Sequence, residues 1–175
     1  LTFWTPNNLF SDQLLNEMLK SMRASEVNPL PSTQATSTPG PRPRLGIVAG
    51  HWGNDSGAVC DDGLTAEKVN LRIATLVQQY LLNDGYEVEL LQEFDPNLDG
   101  YQAMAIVSIH NDSCDYINDE ATGFKVAAAM NSPFPEKATR LTSCLVHRYQ
   151  QKTGLKFHFN TITSDMTSYH AFSEI

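Results

Sequence analysis

Short apolar segments alternate with helical segments from Leu45 onward, and this alternation constrains the fold more than any other feature. The run LGIVAG (45–50) is apolar and ends in glycine, which predicts a buried strand. Apolar residues recur at helical spacing over 67–82, before the stop residues at 83–85. Further strands are predicted at 86–91, 103–109 and 123–129, and a further helix at 135–153. Strands alternating with helices predict an α/β fold with a twisted, mostly parallel sheet and helices on both faces.

The first 44 residues differ from the rest of the chain. Residues 11–22 place their apolar side chains on one helical face, which predicts a short amphipathic helix. We interpret it as a linker helix or tail, with contact to a membrane or partner as the alternative. Residues 29–44 are rich in Pro, Ser and Thr and predict a stiff spacer. The chain therefore divides into a tail (1–44) and a folded domain (45–175).

Charge and cysteine content narrow the classes of partner. The chain carries 20 acidic and 12 basic residues, a formal net charge of -8, so a nucleic-acid partner is not expected. No apolar run is long enough to span a bilayer, so no membrane span is expected in this chain. Three cysteines without a CxxC pair are too few for a disulfide scaffold and argue against a zinc finger.

Two histidines directly follow predicted strands. His51 comes after the strand at 45–50, and His110 comes after the strand at 103–109. Because sites in parallel sheets form beyond the carboxyl ends of the strands, we expect the two imidazoles to converge. Two histidines and a carboxylate suit Zn²⁺ and leave a fourth position for water, which is a catalytic arrangement. The alternative is that each is a loop histidine bonded to backbone.

The strings around these histidines resemble a known family. GIVAGHWGNDSGA (46–58), DGLTAEKVNLRIA (62–74) and VSIHNDS (107–113) together resemble the zinc-dependent N-acetylmuramoyl-L-alanine amidases of the amidase-3 type. The resemblance covers about 45–175. It implies a twisted six-stranded sheet flanked by helices. It also implies hydrolysis of the amide between N-acetylmuramic acid and L-alanine, with bacterial cell-wall peptidoglycan as substrate.

The resemblance implies three zinc ligands, which are His51, Glu67 and His110. The family glutamate stands four residues before the Asn of VNL, and that position is Ala66 here, so Glu67 comes one residue late. One residue rotates a side chain by about 100° around a helix. If the helix begins late, Glu67 still reaches the metal; otherwise it is a helix-start carboxylate favoured by the dipole. The substitutes in the preceding loop are Asp61 and Asp62.

The family's general base is a glutamate in a late strand, and no residue here stands in that context. We expect this base beyond Ile175, and we expect Glu174 to cap or border a helix. Residues 1–175 alone are then expected to be nearly inactive on peptidoglycan, although zinc should still bind. Two other readings stay open: a degenerate amidase fold that binds peptidoglycan or a regulatory partner, and another zinc hydrolase, such as a carboxypeptidase acting on stem peptides.

The remaining polar residues are given simpler interpretations. We expect His147 on the surface of the last helix, His158 in a structural role, and His170 as a candidate to line the cleft. The acidic residues Glu93, Asp95 and Asp99 are interpreted as a solvated loop without calcium-loop spacing.

Two cysteines follow the two proposed ligand loops. Cys60 comes after the first loop and Cys114 after the second, so they can pair if the loops are neighbours; two free thiols are the alternative. The spacer and the cell-wall resemblance predict an extracytoplasmic location, secreted or anchored at the cell envelope.

Overall fold

The computed structural model describes residues 2–4, 41–118 and 120–172. Its strands are β1 (Thr2–Trp4), β2 (Arg44–Ala49), β3 (Glu87–Leu91), β4 (Ala105–Asn111) and β5 (Gly123–Lys125). Its helices are α1 (Ala66–Asn83), α2 (Pro135–Thr153) and α3 (Ser164–Thr167), with 3-10 helices at Pro96–Leu98, Phe159–Thr161 and His170–Phe172. The predicted amphipathic helix at 11–22 and Glu174 lie outside these residues, as does most of the predicted spacer at 29–44.

The centre of the sheet is a set of three parallel strands. Strand β2 lies between β3 and β4, and Leu45 pairs with Val88 on one side and Ala105 on the other. Strand β1 runs parallel to β4 and antiparallel to β5, which gives the order β3-β2-β4-β1-β5 within the described part of the chain. The predicted mostly parallel α/β sheet is confirmed, with five of the six strands that the family resemblance implied.

Side chains alternate along β2 and so reach two different cores. Ile47 faces a cluster that includes Ala74 of α1 and Tyr149 of α2, so both long helices cover this face. Val48 faces the other side and packs with Leu98 and other residues of the short 3-10 helices. Both faces of the sheet are therefore covered, and the strand ends remain as the open edge.

Both long helices have clear start and stop residues. Helix α1 begins after Thr65, whose side chain accepts a hydrogen bond from the Lys68 backbone N–H at 3.3 Å. Helix α2 begins at Pro135 and ends before Gly154, which has a left-handed φ of 69°. Both helices were predicted at these places. The predicted strand at 123–129 is shorter than expected, because only its first three residues pair.

Among the described residues, no helix combines the length and apolarity that a membrane span requires.

Phe124 should be the most costly aromatic side chain to truncate in this fold. It is 1% exposed and packs against Tyr149 and Phe157. We expect Phe124→Ala to lower the free energy of unfolding by about 3–5 kcal/mol, because a large cavity remains. Phe159→Ala is the matched control: this ring is 64% exposed, and its loss should cost within about 0.5 kcal/mol. Equal midpoints in urea for the two variants would contradict the described core.

Candidate metal centre

His51 opens the loop after β2 and is held in an unusual backbone conformation. Gly50 N–H bonds to the Ile109 carbonyl at 2.9 Å, which ties the end of β2 to β4. The chain then turns at His51, whose φ of 68° is left-handed and the only such value outside glycine in the described part of the chain. Such a conformation costs free energy and is concentrated at functional sites.

His110 lies beside His51 at the end of β4. The two ring centroids are 5.2 Å apart with an interplanar angle of 76°. A Cβ built on Gly50 would lie 2.5 Å from His110 Nδ1, so only glycine leaves room for the ring. The structure thus brings together the two histidines that the strand ends singled out.

The electrostatic setting of His110 favours its neutral form. Burial is the largest cause that lowers its pKa from 6.5 to about 4, partly opposed by the nearby Glu93 carboxylate. Its Nε2 atom is buried and has no hydrogen-bond partner among the described residues. A neutral imidazole nitrogen without a partner is the form of histidine that donates its lone pair to a metal ion.

Glu93 is the third strand-end residue of the site, and its interpretation as part of a solvated loop was wrong. It lies just beyond β3 and is only 6% exposed. Its carboxylate accepts hydrogen bonds from the His51 backbone N–H at 2.8 Å and from the Tyr169 hydroxyl at 2.6 Å. The strand-end argument that identified the histidines applies equally to the position after β3, and it could have identified Glu93.

Asp55 orients the His51 ring from the solvent side. Its Oδ1 lies 2.7 Å from His51 Nδ1 and accepts the Gly57 backbone N–H at the same distance. The Gly57 N–H, and then His51, hold the pKa of Asp55 below its usual value, so the carboxylate is ionised at neutral pH. The ligand atoms of His51, Asp55 and Glu93 lie within 4.8 Å of one another, and this group could hold a metal ion.

The carboxylate of Glu67 lies outside this group of ligand atoms. Its backbone N–H bonds to the Ser56 carbonyl at 3.1 Å at the start of α1, but its carboxylate is absent from the set of converging ligand atoms found among the described residues. A Cβ built on Gly57 would lie 2.8 Å from the Ala66 Cβ and 2.8 Å from His51 Nε2, so the Gly57 backbone lies against both the first residue of α1 and the histidine ring. The aspartates of the preceding loop, Asp61 and Asp62, are exposed and also outside the group.

A buried amide of α1 holds the site loop in place. Asn70 is 0% exposed, and its Nδ2 donates to the Gly50 carbonyl at 2.9 Å. This bond links the helix to the residue that precedes His51. Asn70 belongs to the VNL string that carries the family resemblance, but nothing in that string indicates this positioning role.

The 3-10 helix near the end of the described chain forms one wall of the site. Tyr169 donates to Glu93, and burial is the main cause that raises its pKa, so the phenol stays protonated. His170 Nε2 lies 2.7 Å from the Glu93 backbone carbonyl, and its ring stacks on Phe94 with centroids 4.0 Å apart. His170 therefore lies next to the site, as proposed. Outside this wall, His147 is exposed and His158 Nε2 lies 3.2 Å from the Thr122 carbonyl, as expected.

A disulfide joins the loops that follow the two histidines. Cys60 and Cys114 are bonded, with Cα atoms 5.5 Å apart, and Cys144 is an exposed free thiol. The structure therefore pairs the two cysteines that were expected to meet if the loops were neighbours. The crosslink restrains the two loops that follow the histidines.

Fold and site together define an α/β protein with a candidate metal centre at the carboxyl ends of three parallel strands. The converging donors of His51, Asp55 and Glu93 could hold a metal ion, and His110 Nε2, which has no hydrogen-bond partner among the described residues, lies 4.0 Å from Glu93 Oε1. The family profile Amidase_3, described as N-acetylmuramoyl-L-alanine amidase, matches residues 45–167, and the chain belongs to this family. No match to the chain was found among curated proteins or solved structures.

The depressed pKa of His110 makes stability depend on pH. Below pH 6.5 the unfolded chain protonates this histidine, whereas the folded chain resists protonation until about pH 4. The free energy of unfolding of the metal-free protein should therefore fall as pH drops from about 6.5 to 4, by about 3 kcal/mol for a shift of this size. Urea melts of wild type and His110→Gln measure this loss, and the variant should show a shallower pH dependence. Identical slopes would show that His110 is not buried as described.

The disulfide should leave one reactive thiol and contribute to stability. Titration of the denatured, non-reduced protein should find one free thiol, from Cys144, and three after reduction. In the chain-entropy model a loop spanning 54 residues contributes about 4 kcal/mol, so the reduced protein should unfold at lower urea. Three free thiols before reduction would show that Cys60 and Cys114 are not bonded.

Proposed function

We propose that the protein is a zinc-dependent N-acetylmuramoyl-L-alanine amidase that hydrolyses the amide between N-acetylmuramic acid and L-alanine in peptidoglycan. The observation that carries this proposal is the strand-end site of an Amidase_3 domain, in which the neutral and unpartnered His110 Nε2 lies beside His51. Membership of the family supports a hydrolase and a peptidoglycan substrate.

His51 and His110 would hold the zinc ion together with a carboxylate. When bound, zinc polarises the scissile carbonyl and lowers the pKa of a water molecule. Asp55 fixes the orientation of the His51 ring, while burial keeps His110 neutral and ready to bind. The family resemblance points to Glu67 as the carboxylate ligand.

We also propose an extracytoplasmic location for this domain. Disulfides persist in oxidising compartments and are rare in the reducing cytosol. The Cys60–Cys114 bond and membership of a cell-wall amidase family both support a site of action outside the cytoplasm.

One observation favours the non-catalytic alternative. Ala66 replaces the family's metal-binding glutamate, and a domain that had lost this ligand could bind peptidoglycan without cleaving it. The two functions differ in zinc content and in product. An amidase contains about one zinc ion per chain and releases intact stem peptides. The degenerate fold would bind sacculi, contain no zinc and release no stem peptides.

The test uses the full natural chain and purified muropeptides. We expect about one zinc ion per chain and release of intact stem peptides with a new L-alanine amino terminus. His51→Ala and His110→Ala should each abolish zinc binding and stem-peptide release, since each removes an imidazole ligand. His147→Ala is the matched control, because this histidine is exposed on α2, and it should leave zinc content and product unchanged. Release of single amino acids would instead indicate a carboxypeptidase, and binding without zinc or product would indicate the degenerate fold.

A further inference from the structure

We infer that Glu93, not Glu67, is the carboxylate ligand of this site and replaces the glutamate that Ala66 has lost. This inference rests on the proposed zinc dependence. It concerns a residue that the family motifs do not point to. It is carried by the geometry of Glu93 relative to the two histidines.

The Glu93 carboxylate spans both imidazoles. Oε2 lies 3.8 Å from His51 Nδ1, and Oε1 lies 4.0 Å from His110 Nε2. Two ligand atoms on a tetrahedral zinc with bonds of about 2.0–2.1 Å are about 3.3 Å apart. In the described chain the ligand atoms that lie within 4.8 Å of one another are those of His51, Asp55 and Glu93, so the His110 ring would move toward this group for both imidazoles to share one ion.

The burial of the Glu93 carboxylate favours a cation beside it. Glu93 is 6% exposed, and its partners among the described residues are two neutral donors and the two imidazoles. A buried carboxylate is stabilised when it is paired with a positive charge or coordinates a metal. A divalent cation next to His110 Nε2 would satisfy the Glu93 charge and the unpartnered nitrogen together.

The hydrogen bonds of Glu93 also restrict how it can move. The His51 backbone N–H and the Tyr169 hydroxyl each hold one carboxylate oxygen, and His170 lies against the Glu93 backbone carbonyl. Each oxygen keeps a further lone pair for a metal. Outer contacts of this kind orient metal ligands.

Glu67 lacks these properties. It is partly exposed at the start of α1, and its carboxylate is not among the ligand atoms that converge on His51 in the described chain.

The test compares zinc affinity in glutamate-to-glutamine variants of the full natural chain. Chelator competition should show zinc affinity reduced at least 10- to 100-fold in Glu93→Gln, since the loss of an outer contact alone costs that much. Glu67→Gln should bind zinc within about twofold of wild type, and Glu136→Gln, an exposed control in the first turn of α2, should do the same. Wild-type zinc affinity in Glu93→Gln, or a loss confined to Glu67→Gln, would overturn the inference. Wild type without zinc would instead contradict the proposed function.

A second variant covers the case in which Glu93→Gln does not fold. Glu93→Asp keeps the charge but withdraws the carboxylate by one methylene, so zinc affinity should fall at least tenfold. Circular dichroism of the metal-free variant checks that it is folded. The Co²⁺ absorption spectrum, which reports coordination geometry, should change in Glu93→Asp and not in Glu67→Gln. Unchanged zinc affinity and an unchanged spectrum in Glu93→Asp would refute the assignment.

Discussion

The parallel register of β2, β3 and β4 is the constraint on which the rest of the structure depends. Parallel strands end at the same edge, so the residues that follow them meet whatever their distance in sequence. His51, Glu93 and His110 are separated by 42 and 17 positions, yet they occupy the three neighbouring strand ends. The backbone bond from Gly50 to Ile109 and the hydrogen bond from His51 N–H to Glu93 hold these ends together.

Several features of the site are unfavourable for folding, and contacts with the surrounding residues compensate for them. A left-handed histidine, a buried carboxylate and a buried neutral imidazole are each unfavourable alone. Asn70 fixes the loop from the helix side, Tyr169 satisfies Glu93, and the Cys60–Cys114 bond restrains the rim. A cation bound between these residues would interact favourably with the buried carboxylate and the neutral imidazole, which is the physical reason to expect a metal there.

Much of the fold could be predicted from the sequence, because local patterns determine it. Apolar runs and helical periodicity identified β2, β3, β4 and both long helices, and Gly154 ended α2 where expected. The histidines could be predicted by the strand-end argument. The strand end after β3 also points to Glu93, but the burial that separates it from Asp95 and Asp99 depends on Tyr169, which lies 76 residues away in sequence. Whether Glu67 turns toward the site depends on where α1 begins, and the helix begins at Ala66.

The most direct test of the central claim is anomalous diffraction at the zinc edge from crystals of the zinc-loaded protein. We expect one peak at the carboxyl ends of the parallel strands, about 2.0–2.1 Å from a ring nitrogen of His51 and of His110 and about 2.0–2.2 Å from a Glu93 oxygen. A peak coordinated by Glu67 with Glu93 turned away would contradict the ligand assignment. No peak at this edge at saturating zinc would contradict the metal centre itself.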